Sequence, residues 1–434
     1  MTTQPDPGQS DPGLPARLAA LDLISTALAR RGGLDEALSH PAFAKLPPQD
    51  RGFARALAMA TLRRLGGIDR ALDGRMQKPP PAAVRDLLRI GVAQLWALDV
   101  PDFAAVSTTV KLAERDGTTR PFKGLVNAVL RGVARDGAPG IAADAWLPSW
   151  IFARWSTAFG EETARAVATT VPQEPPTDLT LRDPAEAARW AEALEAEVLP
   201  GGSLRVRRKG DLAEWPGFSE GAWWVQDAAA AVPARLLDAK PGQTALDLCA
   251  APGGKTLQLA AAGAEVTALD RSPNRLKRLN ENFARIGLKA DAIAADAETW
   301  EDARSFDAVL LDAPCTSTGT FRRNPDVLWG TKPADIAKLA DVQHRLLDAA
   351  AERVKPGGRL VYCVCSMERE EGEAQIIAFL RRRPDFTTEP CAPGEAGAPE
   401  DAVTKEGWLR ILPSQWPDRG GLDGFFVARL VRKS

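Results

Sequence analysis

The fold of this chain is decided by the stretch FDAVLLDAPCTSTG, residues 306–319. A short apolar run begins after Asp307 and ends at Asp312, just before the turn at Pro314. This pattern is typical of a strand buried in a parallel sheet. Asp312 and Cys315 come directly after that run. Ligands of open α/β sheets bind at the carboxyl ends of the strands, so the stretch predicts a site there. A loop with an incidental buried cysteine is the alternative, because free cysteine also packs as a small hydrophobic residue.

Strands and helices alternate on both sides of this stretch. Further strands are predicted at 244–249, 265–269, 290–295 and 359–365, and the runs 408–412 and 424–431 indicate a closing hairpin. Alternation of this kind is typical of a doubly wound parallel sheet. We therefore predict an α/β domain over residues 222–434.

The residues before this domain have a different pattern. Residues 15–140 predict an all-α bundle, including one helix from Pro47 to about Leu72, with Gly66 among the glycines expected to end helices. Residues 141–221 predict a helical connector and a small α+β subdomain. Its run LRVRRK, residues 204–209, alternates apolar and basic side chains and is hypothesised to meet a polyanion.

Composition restricts the class of protein. The 434 residues carry a net charge of −2, although residues 1–140 hold 19 basic against 14 acidic side chains, a mild indication of nucleic acid binding. Five cysteines without C-x-x-C spacing and only two histidines argue against a disulfide framework, a metal site and histidine catalysis. We expect no metal, no membrane partner and a cytoplasmic location. Residues 1–15 have no signal-peptide pattern and are expected to be a disordered tail.

A glycine-rich turn, AAPGGKT at 250–256, follows the first strand of the α/β domain. It is not a P-loop, because Cys249 stands where that motif needs glycine, and it does not match G-x-G-x-x-G. Asp270 ends the next strand, where an acid holds ribose hydroxyls in doubly wound folds.

A ribose-bearing cofactor without a pyrophosphate fits this pattern, and we expect S-adenosyl-L-methionine. The turn would bind the amino-acid end of this cofactor. Asp270 would bind the ribose of the cofactor, and Asp296 would bind its adenine amino group. Each acid is alternatively a helix cap. The candidate cofactor-binding residues of the turn are Cys249, Ala250, Ala251, Pro252, Gly253, Gly254 and Lys255.

Three blocks of this region resemble a known family. The segments DLCAAPGGKT (247–256), LLDAPCTSTG (310–319) and LVYCVCS (360–366) are similar to the signature blocks of the RNA 5-methylcytosine methyltransferases of the Nop/Sun family. The segment KGLVNAVLR (123–131) resembles the NusB-like RNA-binding domain of the bacterial Sun branch. The resemblance covers nearly the whole chain beyond residue 15. It implies a Rossmann-like, class I methyltransferase domain that uses S-adenosyl-L-methionine, preceded by an all-α NusB-like domain.

The resemblance also implies a substrate. RNA is the expected partner, most directly small-subunit ribosomal RNA, with transfer RNA as an alternative. A catalytically silent RNA-binding or ribosome-assembly factor is a second alternative, although it would need neither Cys315 nor Cys365. A monomer is expected.

Family analogy assigns Cys365 as nucleophile and Cys315 as the residue that releases the product. Asp312 would donate to the base at N3 and lie close to the cofactor. The residues alone do not assign the two thiols, because DNA cytosine methyltransferases use the Pro-Cys thiol as nucleophile. Lys255 is a candidate neighbour that would lower the pKa of Cys365.

The chain departs from the family at two positions near these residues. The family often has histidine where this chain has Asn324, and commonly has threonine where it has Val364. Gln226 and Asp227 match a family block and are expected to help position the base.

Overall fold

A computed structural model describes residues 13–29 and 33–434. Residues 1–12 of the expected disordered tail lie outside the described ranges. Leu14 and Pro15, which were also assigned to this tail, belong to the first helix. The chain divides into two units, a helical unit formed by the chain up to Gln173 with Phe321–Gly330, and an α/β unit formed by Glu174–Thr320 with Thr331–Ser434.

Helices and strands are numbered in chain order. The helices are α1 (Leu14–Leu28), α2 (Gly33–Leu38), α3 (Pro41–Ala44), α4 (Pro48–Arg63), α5 (Leu65–Asp73), α6 (Ala82–Ala97), α7 (Asp102–Arg115), α8 (Lys123–Asp136), α9 (Ser149–Phe159), α10 (Glu161–Thr170), α11 (Ala187–Leu194), α12 (Ala228–Leu237), α13 (Gly254–Ala261), α14 (Pro273–Ile286), α15 (Val327–Gly330), α16 (Pro333–Glu352) and α17 (Glu373–Arg382). The strands are β1 (Thr177–Leu181), β2 (Glu197–Val198), β3 (Leu204–Val206), β4 (Trp223–Val225), β5 (Thr244–Leu248), β6 (Glu265–Asp270), β7 (Asp291–Ala294), β8 (Phe306–Asp312), β9 (Val354–Val364), β10 (Phe386–Thr388), β11 (Leu409–Ile411) and β12 (Phe425–Arg432). Within the described ranges, no helix has the length and apolar character needed to cross a membrane.

The helical unit corrects one sequence prediction. The single helix expected from Pro47 to about Leu72 is two helices, α4 and α5, and Gly66 lies inside α5 rather than at a helix end. A Cβ atom on Gly66 would lie 2.1 Å from the carbonyl oxygen of Ala145, and one on Gly67 would lie 2.4 Å from the Trp146 ring. Because glycine has no side chain, Gly66 and Gly67 allow α5 to pack closely against Ala145 and Trp146. They do not end a helix.

A small antiparallel sheet begins the α/β unit, with strand order β2-β3-β1-β4. Arg205 on β3 makes a bidentate ion pair with Asp178 on β1, at 2.7 Å for both bonds, and both side chains are fully buried. The hypothesis that the 204–209 run meets a polyanion is therefore wrong for Arg205. Its charge is neutralised inside the subdomain, as a buried charge requires.

The large sheet confirms the predicted α/β fold. Its strand order is β10-β12-β9-β8-β5-β6-β7, and β11 pairs with β12 outside this order. The strands from β9 to β7 in this order are paired parallel to one another. Strand β12 is antiparallel to β9, β10 and β11. From β5 the chain builds β6 and β7 on one side and then crosses to β8 and β9 on the other. The strand order thus reverses between β5 and β8, and a crevice forms at the carboxyl ends of those two strands.

Candidate active site

The two thiols of the resemblance meet at this crevice. Cys315 follows β8 and Cys365 follows β9, and their Sγ atoms lie 3.5 Å apart. The strand register explains this proximity, because Asp312 on β8 is paired with Cys363 on β9. The hydroxyl of Ser317, which the sequence reasoning did not select, lies 3.9 Å from the Cys315 sulfur and 3.6 Å from the Cys365 sulfur.

The Cys315 thiol is held in its protonated form. Its pKa is raised well above the usual value by the hydrogen bond to Cys365, by burial, and by electrostatic interaction with Cys365 and Glu371. Cys315 therefore retains an S–H hydrogen that can be donated toward the neighbouring sulfur.

Asp312 lies beside the thiols and is anchored by Lys255. The Lys255 ammonium is 2.7 Å from one oxygen of Asp312, and the buried Cys363 thiol donates to the other at 3.5 Å. Burial tends to lower the pKa of Lys255, but the negative charge of Asp312 and its hydrogen bond outweigh this effect and raise that pKa above its usual value. Lys255, expected beside Cys365, thus makes its direct ion pair with Asp312.

The glycine-rich turn places a non-glycine residue in a left-handed conformation. Cys249 has a φ of 63°, and Gly253 has a φ of 102° where it begins α13. Burial raises the pKa of the Cys249 thiol to about 12, so this thiol stays neutral and packs as a small apolar group. A Cβ on Gly253 would lie 3.0 Å from the Leu279 side chain, which leaves little space for a larger residue.

A buried carboxyl group supports the turn from β5. Asp247 is 1% exposed and accepts a 2.6 Å hydrogen bond from the Thr256 hydroxyl, while its other oxygen has no hydrogen-bond partner. Burial raises the pKa of Asp247 to about 7. The sequence reasoning missed this residue because a single acid within an apolar strand has no spacing signal of its own.

The strand-end acids are already engaged in local bonds. Asp270 accepts from the Ala251 and Ser272 amides at 3.2 and 2.9 Å, and Arg275 lies 3.1 Å from its carboxylate. Asp296 accepts from the Glu298 amide at 3.0 Å, which resembles the capping role considered as the alternative. A carboxylate has about four lone-pair positions, so both acids keep capacity for a ligand hydroxyl or amine.

One cleft of about 250 Å³ brings most of these groups together. It is lined by Asp270, Asp296, Asp312, Cys315 and Cys365, among others, and by the side chain of Cys249. The other turn residues that were predicted to bind the cofactor are not among the lining residues of this cleft: Ala250, Ala251, Pro252, Gly253, Gly254 and Lys255.

Gln226 and Asp227 do not line this cleft. Gln226 donates to Gln258 at 2.8 Å and accepts from the Trp224 indole at 2.8 Å, and Asp227 caps α12. Among the lining residues that the sequence did not indicate are Arg275 and Ser317. Within residues 13–29 and 33–434, no group of three or more His, Cys, Asp or Glu side chains could hold a metal ion.

An open α/β sheet with a glycine-rich turn and strand-end carboxylates at its switch point defines the class of Rossmann-like methyltransferases. Residues 234–431 match the family model described as 16S rRNA methyltransferase RsmB/F, and residues 14–135 match that of the NusB family. The chain is 36% identical to the ribosomal RNA small subunit methyltransferase B of Xanthomonas campestris, over 97% of this chain and 98% of the relative. The chain belongs to the RsmB/F family of 16S rRNA methyltransferases.

Two further comparisons agree with this assignment. The protein of the same name from Pseudomonas syringae is 35% identical, with 96% of each chain covered. The crystal structure of PH0851 is similar over 97% of this chain and 99% of that chain, with a TM-score of 0.76 and 26% identity.

Proposed function

We propose that this protein transfers a methyl group from S-adenosyl-L-methionine to carbon 5 of a cytosine in small-subunit ribosomal RNA, through a covalent cysteine–cytosine adduct. The observation that carries the proposal is the pair of thiols 3.5 Å apart, beside Asp312, at the switch point of the sheet. Cytosine C5 is a poor nucleophile, and its methylation needs one thiol to activate the ring and a second group to release the product. The names of the curated relatives support ribosomal RNA as the substrate.

The residues around the cleft fit S-adenosyl-L-methionine. When bound, this cofactor would supply a methyl group on a positively charged sulfur. Asp270 would accept from the ribose hydroxyls and Asp296 from the adenine amine, since both carboxylates line the cleft with acceptor capacity left. Residues 249–255 would surround its amino-acid end. Asp312 would lie close to its positive charge.

Cys365 is the nucleophile in this proposal. Its thiolate adds to C6 of cytosine, which forms an S–C6 bond, breaks the C5–C6 double bond and makes C5 electron-rich. Asp312 must carry a proton at this step, which it donates to the base at N3 as the adduct forms and recovers when the product is released. After C5 has accepted the methyl group, a base takes the C5 proton, the electrons of the C5–H bond restore the C5–C6 double bond, and those of the S–C6 bond return to Cys365 as a thiolate. Cys315 is assigned as this base, after it has given its own thiol proton to solvent, because its sulfur is the neighbour of the Cys365 sulfur.

The remaining parts of the chain receive roles from the same proposal. Residues 15–140 would bind RNA, and residues 222–434 would carry out catalysis. Residues 141–221 would join these two parts of the chain. The protein would act as a monomer in the cytoplasm. The free thiols at the site require such a reducing compartment.

The test is methyl transfer from labelled cofactor to unmodified small-subunit ribosomal RNA and to bulk transfer RNA, followed by nucleoside analysis. Labelled 5-methylcytidine in ribosomal RNA alone is the expected result. Label in transfer RNA alone would keep the chemistry and replace the substrate. The third possible result is that the protein binds the cofactor but labels neither RNA nor part-assembled small subunits. That result would contradict methyl transfer and favour the alternative of a catalytically silent RNA-binding factor.

A further inference from the structure

Glu371 links the two loops that carry the thiols. Its carboxylate accepts from the Thr316 amide at 3.0 Å and from the Thr316 hydroxyl at 2.5 Å. It also accepts from the Ser366 hydroxyl at 2.5 Å. Thr316 follows Cys315 and Ser366 follows Cys365, so one carboxylate holds the residue after each thiol.

Further bonds fix Glu371 itself. The Gln343 amide donates to its carboxylate at 3.1 Å and also to the carbonyl of Pro314, the residue before Cys315, at 2.9 Å. The Tyr362 hydroxyl donates to the Glu371 carbonyl at 2.6 Å. Glu371 is fully buried. A buried carboxylate with this many donors holds its neighbours in one geometry, because each lost bond would leave a buried polar group unsatisfied.

We propose that Glu371 is a positioning residue that sets the distance between the Cys315 and Cys365 thiols. The proposal rests on the function proposed above, because it concerns the same pair of thiols. Glu371 is not among the residues that line the cleft, and its hydrogen bonds reach the two thiol loops through Thr316 and Ser366.

Glu371 also acts on Cys315 electrostatically. Its negative charge is one of the causes that raise the pKa of the Cys315 thiol, after the hydrogen bond to Cys365, burial and the charge of Cys365. Burial raises the pKa of Glu371 itself, against the hydrogen bonds from Ser366 and Thr316 that lower it. Other polar and charged groups of this network include the hydroxyls of Tyr362 and Thr318, and the Arg410 guanidinium, which donates to the Ser366 carbonyl at 2.6 Å and pairs with Glu373. Loss of the Glu371 charge is therefore expected to lower the pKa of Cys315.

The variant Glu371→Gln keeps the size of the side chain but removes its charge and replaces one acceptor oxygen with a donor. We expect kcat for methyl transfer to fall by about tenfold to a hundredfold, because small displacements of reacting groups have effects of this size. We expect KM for the cofactor to stay within about twofold, because Glu371 does not contact the cleft. Alkylation of Cys315 by iodoacetamide, followed by peptide mass mapping, should reach its half-maximal rate at lower pH than in the unchanged protein.

Asp307→Asn is the matched control. Asp307 is an acid at the opposite end of β8, where it accepts from the Thr244 amide and pairs with Lys355. This variant should leave kcat and the alkylation profile of Cys315 unchanged. Should Glu371→Gln fail to fold, Ser366→Ala removes the Ser366 hydroxyl, which donates to Glu371 and accepts from the Glu368 amide, and is also expected to lower kcat.

Two outcomes would overturn the inference. Either a folded Glu371→Gln protein with unchanged kcat and an unchanged alkylation profile, or a Ser366→Ala protein with unchanged kcat, shows that the network does not position the thiols. Failure of the proposed function is distinguishable, since it appears as absence of methyl transfer in the unchanged protein. The alkylation profile reports on Glu371 in that case as well.

Discussion

Replacement of Asp247 by asparagine should change the pH dependence of stability. Burial raises the pKa of this carboxyl from its usual 3.8 to about 7 in the folded protein. Between these two pH values the folded state holds a proton that the unfolded state has lost, so stability falls as pH rises. The contribution of Asp247 is fully present below the unfolded pKa and is lost above the folded one. Over the full range between the two pKa values, the free energy of unfolding changes by about 4 kcal/mol, because each pKa unit corresponds to about 1.36 kcal/mol.

Asparagine has nearly the same shape as aspartic acid and still accepts from the Thr256 hydroxyl, but it does not titrate. Relative to Asp247→Asn, the unchanged protein should lose about 2 to 3 kcal/mol of unfolding free energy between pH 5 and pH 8. Urea unfolding of the α/β unit in the full chain, followed at several pH values in this range, measures the difference.

Asp307→Asn is the control for this experiment, because the shift of Asp307 has the opposite sign. The hydrogen bond from Lys355 lowers the pKa of Asp307 to about 2, so its stabilising contribution is lost only as pH falls toward that value. The difference between this variant and the unchanged protein should stay constant from pH 5 to pH 8. A constant difference for Asp247→Asn as well would refute the reasoning, since it would mean that Asp247 is ionised in the folded state throughout.

Four other substitutions test the site and the fold. Cys365→Ala should abolish methyl transfer, whereas Cys315→Ala should accumulate a covalent protein–RNA adduct that resists denaturing gel electrophoresis. Lys255→Met removes the charged hydrogen bond to Asp312, and methyl transfer should fall about tenfold to a hundredfold, because such a bond contributes about 1.5–3 kcal/mol. Asp178→Ala leaves a fully buried guanidinium without its partner, and urea unfolding should show a loss of about 3–5 kcal/mol.

Matched controls exist for these variants. Cys391→Ala removes a buried thiol outside the cleft and should retain methyl transfer without an adduct. Lys240→Met removes an exposed lysine paired with Asp238 and should retain full activity. Equal loss in both thiol variants with no adduct in either would contradict the assignment of roles. Full activity of Lys255→Met, or an unchanged midpoint for Asp178→Ala, would contradict the weight given to those ion pairs.

Local pattern allowed the catalytic fold to be predicted. The apolar runs of β5, β6, β8 and β9 are bounded by acids, glycines or prolines. The apolar composition of each run is enough to predict a buried strand, without information from the rest of the chain. The strand-end residues followed from the same runs, since parallel strands bring their carboxyl ends to one edge. The break between α4 and α5 was not predictable in this way, because Gly66 and Gly67 are selected by the close approach of Ala145 and Trp146 from a distant part of the chain.

The sequence by itself determined the class of fold, the family and the identity of the two thiols and of the acids at the strand ends. These properties depend on local periodicity and on short blocks whose residues lie next to one another in the chain. Tertiary structure alone decided that Lys255 pairs with Asp312, that Arg205 is neutralised by Asp178, and that Glu371 joins the loops of both thiols. The physical reason is that charge partners and burial are set by residues far apart in sequence, which meet only when the sheet forms.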